Sequence, residues 1–173
     1  MITRRNFLKT ITAVALAGSA ENVLALDEKD RVLNLHNIHT GEKLDIKYCS
    51  SGAYDSDAIN EINHLMRCHY NNEIKPIDIR TIDLLCDVKD IIGSDKELLI
   101  ISGYRSRAYN EHLRKSGRGV VCNSLHLAGR AIDFRIPKFD TSRLAAIAKT
   151  FHAGGVGKYQ DFIHIDNGRV RYW

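Results

Sequence analysis

The sequence predicts an α+β domain: a small, mostly antiparallel sheet with flanking helices. Three observations point there. RVLNLHNIHTGEKLDIKY alternates apolar and polar residues on both sides of His39-Thr40-Gly41-Glu42, which is a β-hairpin pattern. Two later segments repeat apolar residues at helical spacing. The rest of the chain breaks into short apolar runs punctuated by glycine.

After the hairpin comes DSDAINEINHLMRCHYNNE. It places Ile59, Ile62, Leu65, Met66 and His69 on one helical face, with Asp55 or Ser56 as cap. DIRTIDLLCDVKDIIG repeats the pattern after Pro76 through Ile79, Ile82, Leu85, Cys86 and Ile92, and Gly93 ends it. Leu98 to Ile101 are four consecutive apolar residues and predict a buried strand. RAYNEHLRKS reads as a short helix, GRGVVCNSLH as a loop and GRAIDFRI as an alternating strand. DTSRLAAIAKTF is a helix capped by Asp140 or Thr141, and GGVGKYQDFIHIDNGRVRYW closes as strands with turns at the glycines.

Residues 1–25 stand apart from this domain, leaving residues 26–173 to form it. MITRRNFLKTITAVALAGSA has a basic start and an uncharged run from Thr10 to Ala20, too short to span a bilayer. It has the features of a cleavable export signal, with small residues at Gly18 and Ala20 or Val23 and Ala25 for cleavage. TRRNFLK resembles the twin-arginine motif of bacterial signals; an ordinary secretory signal with two adjacent arginines accounts for the same run. Export machinery and the periplasm are the implied partner and location. The whole chain carries +4, but without residues 1–25 it has 22 basic and 20 acidic residues. No basic face is left to argue for nucleic acid.

Cys49, Cys68, Cys86 and Cys122 form no CxxC pair, so a cysteine-built zinc site is not expected. In an oxidising compartment they can be disulfides or buried thiols. The hairpin histidines His36 and His39 have HxxH spacing, but on a strand and turn rather than on the helix such pairs rely on.

The chemistry gathers near the C-terminal half. A catalytic zinc takes three protein ligands and keeps a position for water. His126 ends a loop, Asp133 lies on the strand after it, and His164 interrupts the apolar strand FIHID. A buried carboxylate is costly unless paired or metal-bound, which argues for joining Asp133 and His164. Gly129 and Ala131 share the Asp133 face by alternation and leave room beside it.

SGYRS, then SLHLAGRAID in the pattern SxHxxGxAxD, then FIHID resemble the zinc peptidases of the D-Ala-D-Ala peptidase, lysostaphin and hedgehog superfamily. With LHNIHTGE, RGV, AGGVG, FIHIDNG and the final RxW, the layout is similar to the murein endopeptidase K branch through nearly the whole mature chain. The resemblance implies a hedgehog-like fold, one Zn2+ held by His126, Asp133 and His164, and peptidoglycan as partner. It implies hydrolysis of peptide cross-links, including the 3-3 type between two diaminopimelate residues. Arg105 then contacts substrate or stabilises an oxyanion, with a structural ion pair as the other reading, and Ser124 contacts backbone or substrate.

The general base departs from the pattern. Related peptidases carry Glu three residues before the last zinc histidine, or His two before it; here Asp161 and Phe162 stand there. Asp161 is shorter than Glu and has odd spacing from His164. Asp166 shares the His164 face and is either the base or a group that orients a ligand. Three rival readings are a carboxypeptidase or dipeptidase, a non-catalytic wall-binding zinc module, and a structural zinc with Cys122 as fourth ligand.

Overall fold

The computed structural model describes residues 29–93 and 95–173. The signal expected at residues 1–25 lies outside them. In chain order the elements are β1 (Arg31–Asn37), β2 (Lys43–Ser50), β3 (Ala53–Tyr54), α1 (Ser56–Leu65), α2 (Ile79–Ile92), β4 (Leu98–Ser102), α3 (Arg107–Lys115), β5 (Ala131–Arg135), α4 (Thr141–Thr150), β6 (Gly155–Lys158), β7 (Ile163–Asp166) and β8 (Arg171–Tyr172), with a 3₁₀ turn at Leu125–Ala128 before β5. Each helix begins on a side chain that accepts a backbone N–H of its first turn: Asp55, Asp78, Ser106 and Asp140. Such caps satisfy donors that have no partner within the helix.

All eight strands join one sheet in the order β3-β2-β1-β4-β5-β7-β6-β8. It is mixed rather than mostly antiparallel, because β1–β4 and β6–β8 pair in parallel. The first parallel pair follows from α1 and α2, which carry the chain back along one face before β4 begins; a crossover of that kind delivers a parallel neighbour. The sheet is also larger than the small one expected, since β3 and β8 extend its edges by two residues each.

Alternation along the strands separates the two faces. Leu33, Leu35, Ile100, Ile132, Phe134, Ile163 and Ile165 pack under Ile62 of α1, Ile82 and Leu85 of α2 and Leu144 of α4. Truncating one of these to alanine costs about 2–5 kcal/mol. The opposite face carries Asp133, His164 and Asp166. There the expectation for Leu98 to Ile101 needs correction: Leu98 and Ile100 are buried, but Leu99 and Ile101 are only half-buried. Over the opposite face, α3 and the loop after it leave a cleft instead of a continuous helix layer.

The four cysteines are free thiols, with Cys49, Cys68 and Cys86 buried and Cys122 exposed. Among the described residues no helix is long and apolar enough to cross a membrane.

Candidate metal centre and cleft

Strand register assembles the site. In the antiparallel ladder between β5 and β7, Asp133 stands directly opposite His164, and Ser102 of β4 is the partner of Asp133 on its other side. His126 enters from the 3₁₀ turn. Gly129 ends that turn at φ +66°, and a Cβ there would collide with the Pro76 carbonyl. Its role is therefore a left-handed turn and a close backbone approach, not space on the Asp133 face. Ala131 does lie on β5, two residues before Asp133.

His126, Asp133 and His164 form a buried group with one ligand atom each within reach of a common point. Asp133 Oδ1 lies 2.8 Å from His164 Nδ1 and 3.2 Å from His126 Nε2, and the two nitrogens are 3.2 Å apart. Donors about 2.0–2.2 Å from a tetrahedral ion stand about 3.3–3.6 Å from one another. An expansion of a few tenths of an ångström fits this triangle to such an ion. Cys122 is not part of the group.

The ring tautomers agree with that fit. His126 Nδ1 donates to the Gly103 carbonyl at 2.7 Å, which leaves the Nε2 lone pair facing Asp133. His164 Nε2 donates to Asp166 Oδ2 at 3.0 Å, which leaves Nδ1 facing inward. Outer hydrogen bonds of this kind fix ligating imidazoles.

Electrostatics favour a cation at the centre. Burial would raise the Asp133 carboxyl, but the charges and hydrogen bonds of His126 and His164 overcome it and hold the group well below the usual carboxylate range. Burial pushes His126 down. Burial opposes charge on His164 too, yet its hydrogen bonds to the Asp133 and Asp166 carboxylates, with their charges, raise it to about 9. In the metal-free group, then, a proton supplies the positive charge that two carboxylates call for. A metal ion supplies the same charge in competition with that proton.

The group lies in a cleft of about 670 Å³ whose lining also includes Arg105, Ser124, Arg118, Tyr159, Phe162 and Trp173. Arg105 is buried, and its Nη2 reaches Asp133 Oδ2 and Ser102 Oγ at 3.3 Å each. The ion-pair reading of Arg105 thus describes its contacts, while its place in the lining keeps its charge in the cleft. Ser124 precedes the 3₁₀ turn, and its side chain makes no capping bond there.

Neither carboxylate proposed as general base opens into this cleft. Asp161 is exposed in the bend before β7 and lines a separate depression with Arg135, Pro137, Lys138 and Phe139. Because β7 starts only at Ile163, counting back from His164 does not carry Asp161 onto its face. Asp166 is fully buried and saturated. Its Oδ1 accepts from Gly155 N, Gly168 N and Arg171 Nη1 at 3.1, 2.8 and 3.1 Å, and its Oδ2 from His164 and from Arg171 Nη2 at 2.7 Å. Burial would raise its pKa, but these donors hold it well below the ordinary range. A carboxylate so engaged is placed to orient His164, with both oxygens already occupied.

Two cleft residues had no role in the sequence reading. Trp173 stands 5.4 Å from the His164 ring, donates to Tyr159 OH at 3.2 Å and has Arg171 against its ring. His39, from the β1–β2 turn, lines the cleft opposite β7 because β1 pairs in parallel with β4. The RxW ending was a signal for the first; local pattern held none for the second.

Comparison with known proteins places these residues in context. A family model described as peptidoglycan L,D-endopeptidase MepK matches residues 25–173. Peptidoglycan L,D-endopeptidase MepK of Escherichia coli K12 is 37% identical over 147 residues, covering 84% of this chain and 81% of that protein. The protein of the same name from Shigella flexneri gives the same values. A probable peptidoglycan L,D-endopeptidase MepK of Haemophilus influenzae is 32% identical over 166 residues, covering 93% and 89%. A match across the described domain, with relatives aligned over most of both chains, shows that this protein belongs to the MepK family of M15 peptidases.

Proposed function

We propose that this protein is an exported zinc endopeptidase that hydrolyses peptide cross-links of peptidoglycan, including the 3-3 type between diaminopimelate residues. The observation that carries the reading is the buried His126–Asp133–His164 triangle in an open cleft. The names of the relatives support the substrate class. In this reading residues 26–173 are the peptidase domain, with the hedgehog and D-Ala-D-Ala peptidase type of fold. Residues 1–25 are the signal that engages the export machinery and delivers the domain to the periplasm, where the substrate is.

His126 Nε2, Asp133 Oδ1 and His164 Nδ1 hold the ion. Bound zinc supplies Lewis acidity that polarises a carbonyl and makes water acidic near neutral pH. The chain's own residues do the rest. Asp166 and Gly103 hold the two imidazoles so that their lone pairs point at one place. Arg105 anchors Asp133 and keeps positive potential where a carbonyl oxygen gains charge. Ser124 and Arg118 give the cleft wall polar contacts for the peptide.

Metal-loaded protein incubated with cross-linked muropeptides, with and without chelator, tests this. New amine termini from 3-3 dimers, abolished by chelator and restored by zinc, are expected. Release of terminal D-Ala instead would make it a carboxypeptidase. Sacculus binding without new amines would make it a wall-binding module, and chelator-insensitive cleavage would remove the metal from the mechanism.

A further inference from the structure

Peptide hydrolysis needs a group that takes a proton from the attacking water and returns it to the leaving amine. With Asp161 outside the cleft and Asp166 saturated, that role is open. The cleft lining narrows it. Its carboxylate is Asp133, already committed to His126, His164 and Arg105. Arg105, Arg118 and Arg171 are guanidinium groups and do not act as bases. Tyr109 and Tyr159 are phenols, and burial pushes the Tyr109 hydroxyl up. His126 and His164 face the centre. The remaining ionisable side chain of the lining is the imidazole of His39.

We infer that His39 is the proton carrier of this active site, resting on the endopeptidase reading above. Its side chain is exposed on the cleft wall. Nε2 lies 3.1 Å from the Ile101 carbonyl, which can only accept, so Nε2 carries the hydrogen and Nδ1 holds a free lone pair. The ring is held in place on both sides of its chain. Buried Asn37 accepts from His39 N at 2.9 Å and from Thr40 N at 3.3 Å, while its own amide donates to the Leu65 carbonyl at 2.8 Å. His69 stacks on the ring at 3.8 Å, and its Nε2 meets Tyr109 OH at 3.1 Å. Burial, and the charges of His39 and Arg105, bring His69 down to about 4, so it backs His39 as a neutral plate. Positioning of this kind is what proton transfer in a transition state needs.

The step balances simply. His39 Nδ1 takes one proton as water oxygen bonds to the carbonyl carbon. The same proton passes to the nitrogen as the C–N bond breaks, and the released chain leaves with a new amine.

Two variants test it: His39→Ala, and His39→Gln, whose amide can still donate to Ile101 O. Both are expected to lower kcat about 10²–10⁴-fold, with zinc content and KM close to wild type. Added imidazole should restore part of the rate to H39A and none to H39Q, a rescue that a structural role would not produce. Wild-type kcat in H39Q, or H39A slowed without imidazole rescue, overturns the assignment and leaves the endopeptidase reading standing. A wild-type protein that releases no amine from muropeptides overturns both.

Discussion

Asp166 accepts the Nε2 proton of His164 at 3.0 Å and turns no oxygen toward the cleft. A residue two positions from a candidate ligand, and on its face, thus serves the imidazole rather than the water. Asp166→Asn is expected to weaken zinc binding about 10–100-fold. At saturating zinc the variant should recover most of its turnover. Zinc titration against a competing chelator checks the first point. Loss of turnover with full metal occupancy would return Asp166 to the list of bases.

Asp161 makes the opposite case. It lines a depression with Arg135 and Phe139 rather than the cleft. Asp161→Ala should keep metal affinity and kcat within about twofold of wild type, as expected for an exposed position with no such contact. A hundredfold loss would show that the bend before β7 moves when substrate binds.

The metal-free protein should have a distinctive pH dependence. His164 is raised from 6.5 to about 9 by Asp133 and Asp166. A histidine raised on folding adds stability that is fully present below its unfolded value and is lost as pH climbs through its folded value. Melts in chelator are therefore expected to fall between pH 6.5 and pH 9. Saturating zinc, which takes the place of that proton, should flatten the slope. Equal slopes with and without zinc would contradict the electrostatic account of the triangle.

Gly157 makes room for Trp173. A Cβ at Gly157 would stand 2.5 Å from the indole, and Gly157 is also the ladder partner of His164. Gly157→Ala should push the ring off β6 and cost about 1–3 kcal/mol, as overpacking does. The chain has one tryptophan, so its emission reports on the cleft wall without a label. A red shift in the variant is expected, and an unchanged spectrum would mean that the strand gives way instead.

Much of this architecture was legible in one dimension. The periodicities of α1, α2 and α4 and the caps Asp55 and Asp140 are local signals, and local hydrogen bonds carry them out. The His126, Asp133 and His164 spacing was legible because the β5–β7 ladder turns sequence alternation into one face. Illegible were the features set by distant pairing. The parallel β1–β4 contact brings a turn histidine into the cleft, and no local pattern encodes that contact. Asp161 was a base candidate only by its place three residues before His164 in the family pattern, and its odd spacing already set it off the His164 face. The structure leaves it exposed in the bend before β7, which begins only at Ile163. Gly129 was misread because a left-handed turn and a strand residue look alike in a string of small residues.

The alternation of β7 has an evolutionary consequence. Ile163 and Ile165 belong to the core while His164 and Asp166 belong to the opposite face of the sheet, on four successive residues. A slip of one residue would send two ionisable groups under the helices and two isoleucines into the cleft. Fold and chemistry therefore share one reading frame on this strand. An insertion or deletion there cannot drift through neutral intermediates, because the change that spoils the site also spoils the core. Selection for a folded chain alone is enough to keep the spacing of this half of the site.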